Sequence, residues 1–486
     1  MIAARLRQVA AVDPNAPALM GTASISYAEL LAALSRVRRA FERRDVKPGD
    51  FIMVSLPAGL QAAASFFACA ELGAIFLPTN PGWRAAELQW LLEQTRPAAA
   101  IVLNSEAELW TAAGFSTGST IFADRDNWPG TEDAYDSVSS VWPYDHPVAC
   151  VVSSGSSGRP KIAVKTHGGM VDTAACVAQV CGISPGNRLL ATVPPYHGSG
   201  LANNLILPLL NGAPLVCQER FEPAAAAAII ELHSVDYLVS SPVFYSLMID
   251  ANVPSSALAS LRVCLSGGAP LPPSVQSEWR RRYGVPIWQA YGSSEAGMIS
   301  IQSEDSADPR FAGRPLPMTD VRILSADDPL PVGEVGEIVV RGPGVVTRYL
   351  GEHEGPAPRF WNDYLRTGDL GWLDAEGRLY LSGRARPWIN SGGVKIDPVE
   401  VQQVLSAMPG VRECLVEAAP GPGGRDIVAA VIAPEPGIEL TRADVIQHCR
   451  KTLAEYKIPR VVRFVPRLAT SLTGKRPSHV DARELH

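Results

Sequence analysis

The first hundred residues alternate short apolar stretches, which are typical of strands, with stretches of helical periodicity. The predicted strands are Phe51–Ser55, Gly73–Pro78 and Ala98–Leu103, and the predicted helices between them are Gln61–Leu72 and Ala85–Gln94. The connections are only a few residues long. Because parallel strands need such helical crossovers, this alternation predicts α/β layers around a largely parallel sheet.

The same alternation continues further along the chain and then changes. Its later predicted strands are Leu189–Val193, Tyr237–Ser241, Val263–Ser266 and Ile287–Ala290. From Gly313 onward short strands and turns dominate, which predicts a β subdomain. A compact α+β region ends the chain, and a capping box of Thr441 and Asp444 there predicts a helix that reaches Glu455. The predicted fold class is therefore α/β: a large N-terminal domain of layered α/β sheets plus a β subdomain, a hinge, and a small α+β C-terminal domain.

Composition excludes several classes of protein. The 486 residues exceed one typical domain, and the 47% apolar and 19% charged residues are ordinary for a globular protein. A net charge of −6 argues against nucleic-acid or anionic-membrane binding. The eight cysteines form no Cys-x-x-Cys pair, which favours buried reduced thiols in a cytoplasmic protein. The apolar stretch Gly59–Leu77 is interrupted by polar residues, so we expect a buried helix and strand rather than a membrane span.

The predicted strand that begins at Val148 leads into a loop of glycines and serines. The loop residues are Ser153, Ser154, Gly155, Ser156, Ser157 and Gly158, and Arg159, Pro160 and Lys161 follow. Glycines allow backbone N–H groups to point toward one centre, and hydroxyls and a cation add to such a phosphate cradle. The loop by itself is equally compatible with a flexible Gly/Ser segment. It is not a Walker A loop, because it has no Gly-Lys-Ser/Thr and Pro160 would obstruct the helix that such a loop requires.

Other loops of similar character follow later predicted strands. They are Pro194–Asn204, Gly267–Leu271 and Tyr291–Glu295. Ligands of open α/β sheets bind beyond the carboxyl ends of the strands, so we expect these loops to line one cleft.

Taken in order, these segments resemble the signatures of the adenylate-forming superfamily, which contains acyl-CoA synthetases, adenylation domains of peptide synthetases and luciferase. The resemblance extends from about Thr22 to Lys475, and its character is closest to the acyl- or aryl-CoA ligases. Serines replace the threonines that are usual in the phosphate loop, and every hydroxyl is kept.

The resemblance implies roles in nucleotide binding. The implied ATP-binding residues are Ser153, Ser154, Gly155, Ser156, Ser157, Gly158, Lys161, Gly268, Ala269, Pro270, Tyr291, Gly292, Ser294, Asp369 and Arg384. Tyr291 is expected to stack on adenine, and Ser294 to contact the α-phosphate. A carboxylate accepts two hydrogen bonds at once, so Asp369 suits the two ribose hydroxyls. Glu295 is the implied ligand of Mg²⁺, which takes few protein ligands.

The acid site is implied by the segment Pro194–Leu210. His197 is expected to contact the substrate carboxylate as a catalytic residue, and the expected pocket walls are Ser199, Asn203, Val243, Ser266 and Met298. The segment Pro194–Leu210 contains no acidic residue, whereas peptide-synthetase domains that take α-amino acids keep an aspartate there. Because a buried unpaired ammonium group is costly, this absence favours an uncharged acyl or aryl tail over an α-amino acid.

The resemblance also divides the chain into domains. It implies an adenylation domain over residues 1–384, a hinge over 385–390 and a mobile C-terminal domain over 391–486. Arg386 lies where a hinge Asp or Lys is usual, and Asn390 lies where many CoA ligases carry lysine. Ser391, Gly392 and Gly393 are expected to line the tunnel for a phosphopantetheine thiol. Lys475 is the expected catalytic cation, which bridges the carboxylate and the α-phosphate.

The function implied is an acid–thiol ligase that forms AMP. A small carboxylic acid reacts with ATP to give acyl-AMP and pyrophosphate, and the acyl group then passes to the thiol of coenzyme A. Two alternatives remain open: an adenylating enzyme that loads a separate acyl carrier protein through its phosphopantetheine, and a nucleotide-binding relative that has lost catalysis. Retention of Lys161, Glu295, Asp369 and Lys475 argues against the second.

Overall fold

The chain forms two compact units. The computed structural model describes residues 1–83, 85–123, 141–153, 161–218, 221–304, 306, 308–346, 348–350, 360–384, 389–391, 394–396, 398–420, 426–453, 455–466 and 468. The first unit comprises residues 1–320 and 340–365, and the second comprises residues 321–339 and 366–486. The predicted hinge at 385–390 stays a prediction, since residues 385–388 lie outside the described part.

One sheet of the first unit contains the predicted strand that precedes the glycine-serine loop. The strand order is Tyr349–Leu350, Lys161–Thr166, Pro147–Ser153, Ile75–Pro78, Phe51–Ser55, Ala99–Val102 and Thr120–Phe122. The pairs from Pro147–Ser153 to Thr120–Phe122 are parallel, and the first two pairs are antiparallel. The central strands are mainly apolar and almost wholly buried, as strands covered on both faces are.

A second sheet carries the other glycine-rich loops. Its strand order within the first unit is Phe311–Pro315, Gly297–Ile301, Ile287–Ser293, Val263–Ser266, Tyr237–Ser240, Leu189–Ala191, Leu215–Val216, Pro17–Met20 and Ile25–Ser26. The strands from Ile287–Ser293 to Pro17–Met20 are parallel, and those at either end are antiparallel. The predicted α/β layering with largely parallel sheets is confirmed.

Helices connect these strands. Their bounds are Ile2–Val12, Tyr27–Glu42, Leu60–Leu72, Ala85–Thr95, Ala107–Ala112, His167–Cys181, Leu207–Leu210, Pro223–His233, Pro242–Asp250 and Pro273–Tyr283. The predicted apolar stretch from Gly59 does form a buried helix followed by strand Ile75–Pro78. No helix in the described ranges is long and apolar enough to cross a membrane. The eight cysteines are free thiols.

The second unit is built mainly of strands. Strands that lie wholly or mostly in it follow the order Asp328–Pro329, Asp320–Ser325, Gly336–Arg341, Tyr364–Leu373 and Leu379–Arg384. A hairpin of Ile389–Ser391 and Val394–Ile396 follows. The last part combines a sheet of Val411–Pro420, Asp426–Pro434 and Val461–Phe464 with helices Pro398–Ser406 and Arg442–Cys449. This is the predicted small α+β domain.

Several element ends differ from the predictions, among them the ends of one strand in the first unit and one helix in the second. The strand predicted to end at Val193 ends at Ala191, because the amides of Thr192 and Val193 donate to Asn204 Oδ1 at 3.3 and 2.8 Å instead of to a neighbouring strand. The helix predicted to reach Glu455 ends at Cys449, although its capping box of Thr441 and Asp444 forms as predicted.

Candidate active site

Two parallel strands of the second sheet end level with one another, at Ser240 and Ser266, and their neighbour Ile287–Ser293 continues past that edge. Ser240 pairs in register with Ser266, and Ser266 with Gln289. The amide of Gly267 donates to the carbonyl of Ser240 at 3.0 Å, so the chain leaves the sheet at that point. The segments that carry Val243, Gly268–Pro270 and Tyr291–Glu295 therefore begin at one edge, where open α/β sheets bind ligands.

The segment Tyr291–Glu295 is part of a tight hairpin. Gly292 lies opposite Met298, and Ser293 lies opposite Gly297. A Cβ atom at Gly292 would lie 2.2 Å from the carbonyl oxygen of Gly297, so only glycine fits. The amide of Ala296 donates to Ser293 Oγ at 3.0 Å and closes the turn. This geometry places Glu295 and Ser294 at the tip, half-buried, while Tyr291 is largely buried in the strand.

The predicted adenine segment is a strained turn. Gly268 has φ +82°, a conformation that favours glycine. The amide of Leu271 donates to the side-chain oxygen of Gln289 at 3.2 Å, which fixes the end of the turn. Gly268 and Pro270 are exposed and Ala269 is half-buried, so backbone is accessible at this sheet edge.

The predicted acid segment begins with a sharp bend. A Cβ atom at Gly200 would lie 1.9 Å from the carbonyl oxygen of Pro194, so glycine is required there. Gly200–Ile206 is a turn of π-helix, a geometry that is frequent at functional sites. His197 is half-buried just before this turn, with its ring 4.5 Å from that of Tyr196.

The predicted pocket walls differ in accessibility. Ser199 is exposed and accepts a hydrogen bond from Asn203 Nδ2 at 3.1 Å, and Asn203 itself is buried. Val243 is 46% exposed, Met298 is half-buried, and Ser266 is fully buried. Within the described ranges Ser266 Oγ has no hydrogen-bond partner. Val243 and Ser199 are accordingly the predicted wall residues that are open to solvent, and Ser266 is closed to it.

Two antiparallel strands hold the ends of the predicted phosphate loop together. Ser153 pairs with Lys161, so the loop between them starts and finishes at one point. Ser154, Gly155, Ser156, Ser157 and Gly158 lie outside the described residues, as does the side chain of Ser153. Lys161 Nζ lies 5.1 Å from the centre of the Tyr349 ring. This cation–π contact was not anticipated from the sequence, because Tyr349 is distant in the chain and joins the sheet only through strand pairing.

Sequence reasoning missed Lys165, which lies on strand Lys161–Thr166. Its Nζ donates to the carbonyl oxygens of Gly344 at 2.8 Å and Glu295 at 3.3 Å. Burial lowers the pKa of Lys165 to about 8, and the Glu295 carboxylate opposes that shift only in part. The available signal was a lysine within an otherwise buried strand.

Lys165 borders a cavity of about 40 Å³. The cavity is lined by Lys165, Thr166, Gly169, Met170, Thr173, Ala174, Ala202, Asn203, Ile206, Gly297, Pro343, Gly344 and Val345. It thus borders both the acid segment, through Asn203, and the hairpin of Glu295, through Gly297.

In the second unit, two residues that are predicted to bind the nucleotide lie opposite each other on paired strands. Asp369 on strand Tyr364–Leu373 pairs with Arg384 on strand Leu379–Arg384. Asp369 is 8% exposed, and its amide donates to Thr367 Oγ1 at 3.0 Å. The turn before it depends on Gly368, which has φ +73°. The strand pairing thereby joins two residues that the sequence separates by fifteen positions.

Several predicted residues cannot be located. Arg386, Gly392, Gly393 and Lys475 lie outside the described residues, and for Ser391 and Arg384 only the backbone is described. The described residues contain no group of three potential metal ligands. A single carboxylate at Glu295 nevertheless fits Mg²⁺, since this ion takes most of its ligands from phosphate and water.

Comparison with known proteins identifies the chain's relatives. The family model described as AMP-binding enzyme matches residues 6–350, and the model for the AMP-binding enzyme C-terminal domain matches residues 400–475. A feruloyl-CoA synthase from Amycolatopsis is 31% identical over 474 residues, covering 96% of this chain and 95% of the relative.

Solved structures share the fold. ATP-bound MatB from Rhodopseudomonas palustris has a TM-score of 0.90 at 24% identity, covering 98% of this chain and 97% of its own. The o-succinylbenzoate CoA synthetase MenE from Bacillus subtilis, in complex with ATP and magnesium ion, has a TM-score of 0.87 at 27% identity, covering 98% of each chain. The chain therefore belongs to the AMP-binding enzyme family, as an ATP-dependent acid–CoA ligase that acts through an acyl-adenylate.

Proposed function

We propose that this ligase activates a carboxylic acid without an α-ammonium group at the strand edge described above, with Mg²⁺ bound by Glu295, and transfers the acyl group to CoA. The observation that carries the proposal is the register of Ser240, Ser266 and Gln289. It starts the segment of Val243 and the predicted adenine and magnesium segments from one edge of one sheet, and the strand before the acid segment joins that edge because Ala191 pairs with Val239.

Each part of the nucleotide has its own proposed residues. Tyr291 and the backbone of Gly268–Pro270 bind adenine, and Asp369 accepts hydrogen bonds from the ribose hydroxyls. The loop that ends at Lys161 binds the outer phosphates through backbone N–H groups and serine hydroxyls. Mg²⁺, when bound, neutralises phosphate charge, and Glu295 holds it from the hairpin tip.

The first reaction joins two negatively charged groups. His197 donates a hydrogen bond to one oxygen of the acid's carboxylate and orients the other toward the α-phosphorus. That oxygen attacks, the bond to the leaving pyrophosphate breaks, and a mixed anhydride forms. Lys475 stabilises the charge that develops on the α-phosphate. In the second reaction the CoA thiol attacks the acyl carbon and AMP leaves.

The residues around the acid argue for the substrate class. The segment 194–210 contains no Asp or Glu that could pair with an ammonium group. The walls of the cavity behind it are mainly small or apolar side chains. An α-amino acid would bury its ammonium group without a counter-ion there, which is unfavourable.

The test supplies ATP and Mg²⁺ with a panel of acids and records pyrophosphate release. The panel includes ferulate, an acid suggested by the name of the relative, and phenylalanine as an α-amino acid. We expect turnover with at least one acid that lacks an ammonium group and none with phenylalanine. Pyrophosphate release with phenylalanine alone would contradict the proposal. The absence of release with every acid of the panel would contradict it as well.

The same assay identifies the acceptor. CoA and a phosphopantetheinylated carrier protein are offered separately with the active acid, and the thioester is measured. We expect the thioester with CoA. Formation with the carrier protein alone would show instead that the chain loads a carrier.

A further inference from the structure

The cavity beside Lys165 borders the segment that forms the proposed acid site. Asn203 on the acid segment and Gly297 on the Glu295 hairpin both line it. Asn203 belongs to the π-helical segment Gly200–Ile206 and lies six positions after His197, which we propose to bind the reacting carboxylate. A substrate that extends from His197 along Gly200–Ile206 therefore brings its far end to this cavity.

Lys165 is a cation at that far end. In the described part of the chain its two hydrogen bonds go to the carbonyl oxygens of Gly344 and Glu295. An ammonium group has three protons, so a third donor remains. The Glu295 carboxylate acts on Lys165 electrostatically and is itself proposed to bind Mg²⁺. The charge of Lys165 is thus incompletely balanced by the residues described around it.

The other polar groups of the cavity have partners within the protein. Thr173 Oγ1 donates to the carbonyl of Gly169 at 2.7 Å, and Asn203 Nδ2 donates to Ser199 Oγ at 3.1 Å. The remaining side chains around them include Met170, Ala174 and Ile206, which are apolar. One cation in a small, mostly apolar end pocket is an arrangement that selects a compact anion.

The size of the cavity agrees with this chemistry. A water molecule needs about 10–15 Å³ of such volume. The observed volume of about 40 Å³ therefore accommodates a group of a few heavy atoms, such as a carboxylate.

We propose that Lys165 determines specificity by binding a second anionic group, a carboxylate or sulfonate, at the end of the substrate opposite the carboxylate that is activated. This inference rests on the proposed function and specifies its substrate. The lack of acidic residues in 194–210 predicts an uncharged tail, whereas Lys165 favours a tail that ends in a negative charge. The absence of acidic residues and the positive charge of Lys165 both argue against a substrate that carries an ammonium group.

The experiment compares acids that differ only at the far end. The pairs are pentanoate with glutarate and 4-methylbenzoate with terephthalate, in which a methyl group is replaced by a carboxylate. Pyrophosphate release gives kcat/KM for each acid. We expect the wild type to prefer the diacid of at least one pair by about tenfold or more, since a charge-assisted hydrogen bond is lost with the methyl group.

Substitution of Lys165 tests whether this residue causes the preference. Lys165→Met keeps the length of the side chain and removes its charge, so we expect the preference to disappear or reverse. Lys165→Arg keeps the charge and should retain a preference for the diacid. Lys47→Met, at a side chain 64% exposed, is the matched surface control and should behave as the wild type.

The possible results separate the two proposals. Turnover that favours the methyl acid in both pairs, and that Lys165→Met leaves unchanged, would overturn the role of Lys165 and leave acid activation intact. A uniform loss with every acid in Lys165→Met, with the preference kept, would show a structural role only and also overturn it. No pyrophosphate from any acid would overturn the proposed function as well.

Discussion

Gly292 shows how a single missing side chain shapes the proposed magnesium site. The hairpin brings the carbonyl of Gly297 to 2.2 Å from the position of a Cβ atom at residue 292. Any side chain there must separate the two strands. The position of Glu295 at the tip therefore depends on the absence of a side chain at residue 292.

For Gly292→Ala we expect a loss of stability of about 1–3 kcal/mol, typical of overpacking, and reduced acyl-adenylate formation. Thermal unfolding and pyrophosphate release measure the two effects. Gly118→Ala is the control, because the nearest atom to its Cβ is a serine oxygen at 3.6 Å. Equal behaviour of the two variants would show that the close approach at Gly292 has no consequence.

The proposed role of Asp369 in binding ribose can be tested directly by substitution. Asp369→Asn keeps the shape of the side chain and removes its charge and one acceptor. Because a hydrogen bond to a charged group contributes about 1.5–3 kcal/mol, we expect KM for ATP to rise roughly 10- to 100-fold with little change in KM for the acid. Initial rates at varied ATP concentration measure this.

Asp374→Asn is the matched control for Asp369. Asp374 lies in the turn of the same hairpin, where its carboxylate accepts hydrogen bonds from the amides of Glu376 and Arg378 at 3.1 and 2.8 Å. We expect this variant to lose some stability and to keep the wild-type KM for ATP. A similar rise in both variants would point to damage to the hairpin rather than to loss of a ribose contact.

At the scale of elements, one buried carboxylate connects three helices. Glu71, on helix Leu60–Leu72, forms ion pairs with Arg7 on helix Ile2–Val12 and Arg38 on helix Tyr27–Glu42. Its side chain is 3% exposed, so its charge depends on these partners. Removing one member of such a network leaves the others buried and unbalanced.

Glu71→Gln is expected to destabilise the protein by about 3 kcal/mol or more, because Arg7 and Arg38 each lose a buried carboxylate partner. Glu42→Gln removes an ion pair of the same Arg38, but its carboxylate is 43% exposed. That variant should change stability by about 1 kcal/mol or less. Urea unfolding measures the free energy of unfolding of both variants. Equal losses of stability would show that burial of the Glu71 carboxylate is not what makes its ion pairs important.

At the scale of the whole molecule, the two half-reactions are expected to use different residues. The match to the C-terminal domain model ends at Lys475, the proposed cation for the first half-reaction. Lys475→Ala should abolish formation of acyl-AMP and retain formation of the thioester from supplied acyl-AMP. Lys451→Ala, a surface lysine of the same domain, should keep both. Single-turnover assays of each step distinguish these cases, and parallel loss of both steps in Lys475→Ala would contradict the assignment.

Helices and strands could be predicted from the sequence where apolar runs and helical periodicity are strong. Strand Phe51–Ser55 has its predicted bounds, and the helix predicted from Gln61 begins at Leu60. The apolar runs and helical periodicity that define such elements are local properties of the sequence. Element ends were less predictable: the strand that ends at Ala191 does so because Thr192 and Val193 donate to the side chain of Asn204, which lies 12 and 11 positions further along the chain.

The sequence by itself determined the family, the order of the elements and the residue types available for chemistry, since these follow from periodicity, turn residues and ordered motifs. Tertiary structure decided which residues meet. It paired Asp369 with Arg384, and it turned Lys165 toward the carbonyls of Glu295 and Gly344. Those contacts depend on strand register and on close approaches between distant segments, and no local pattern in the chain encodes them.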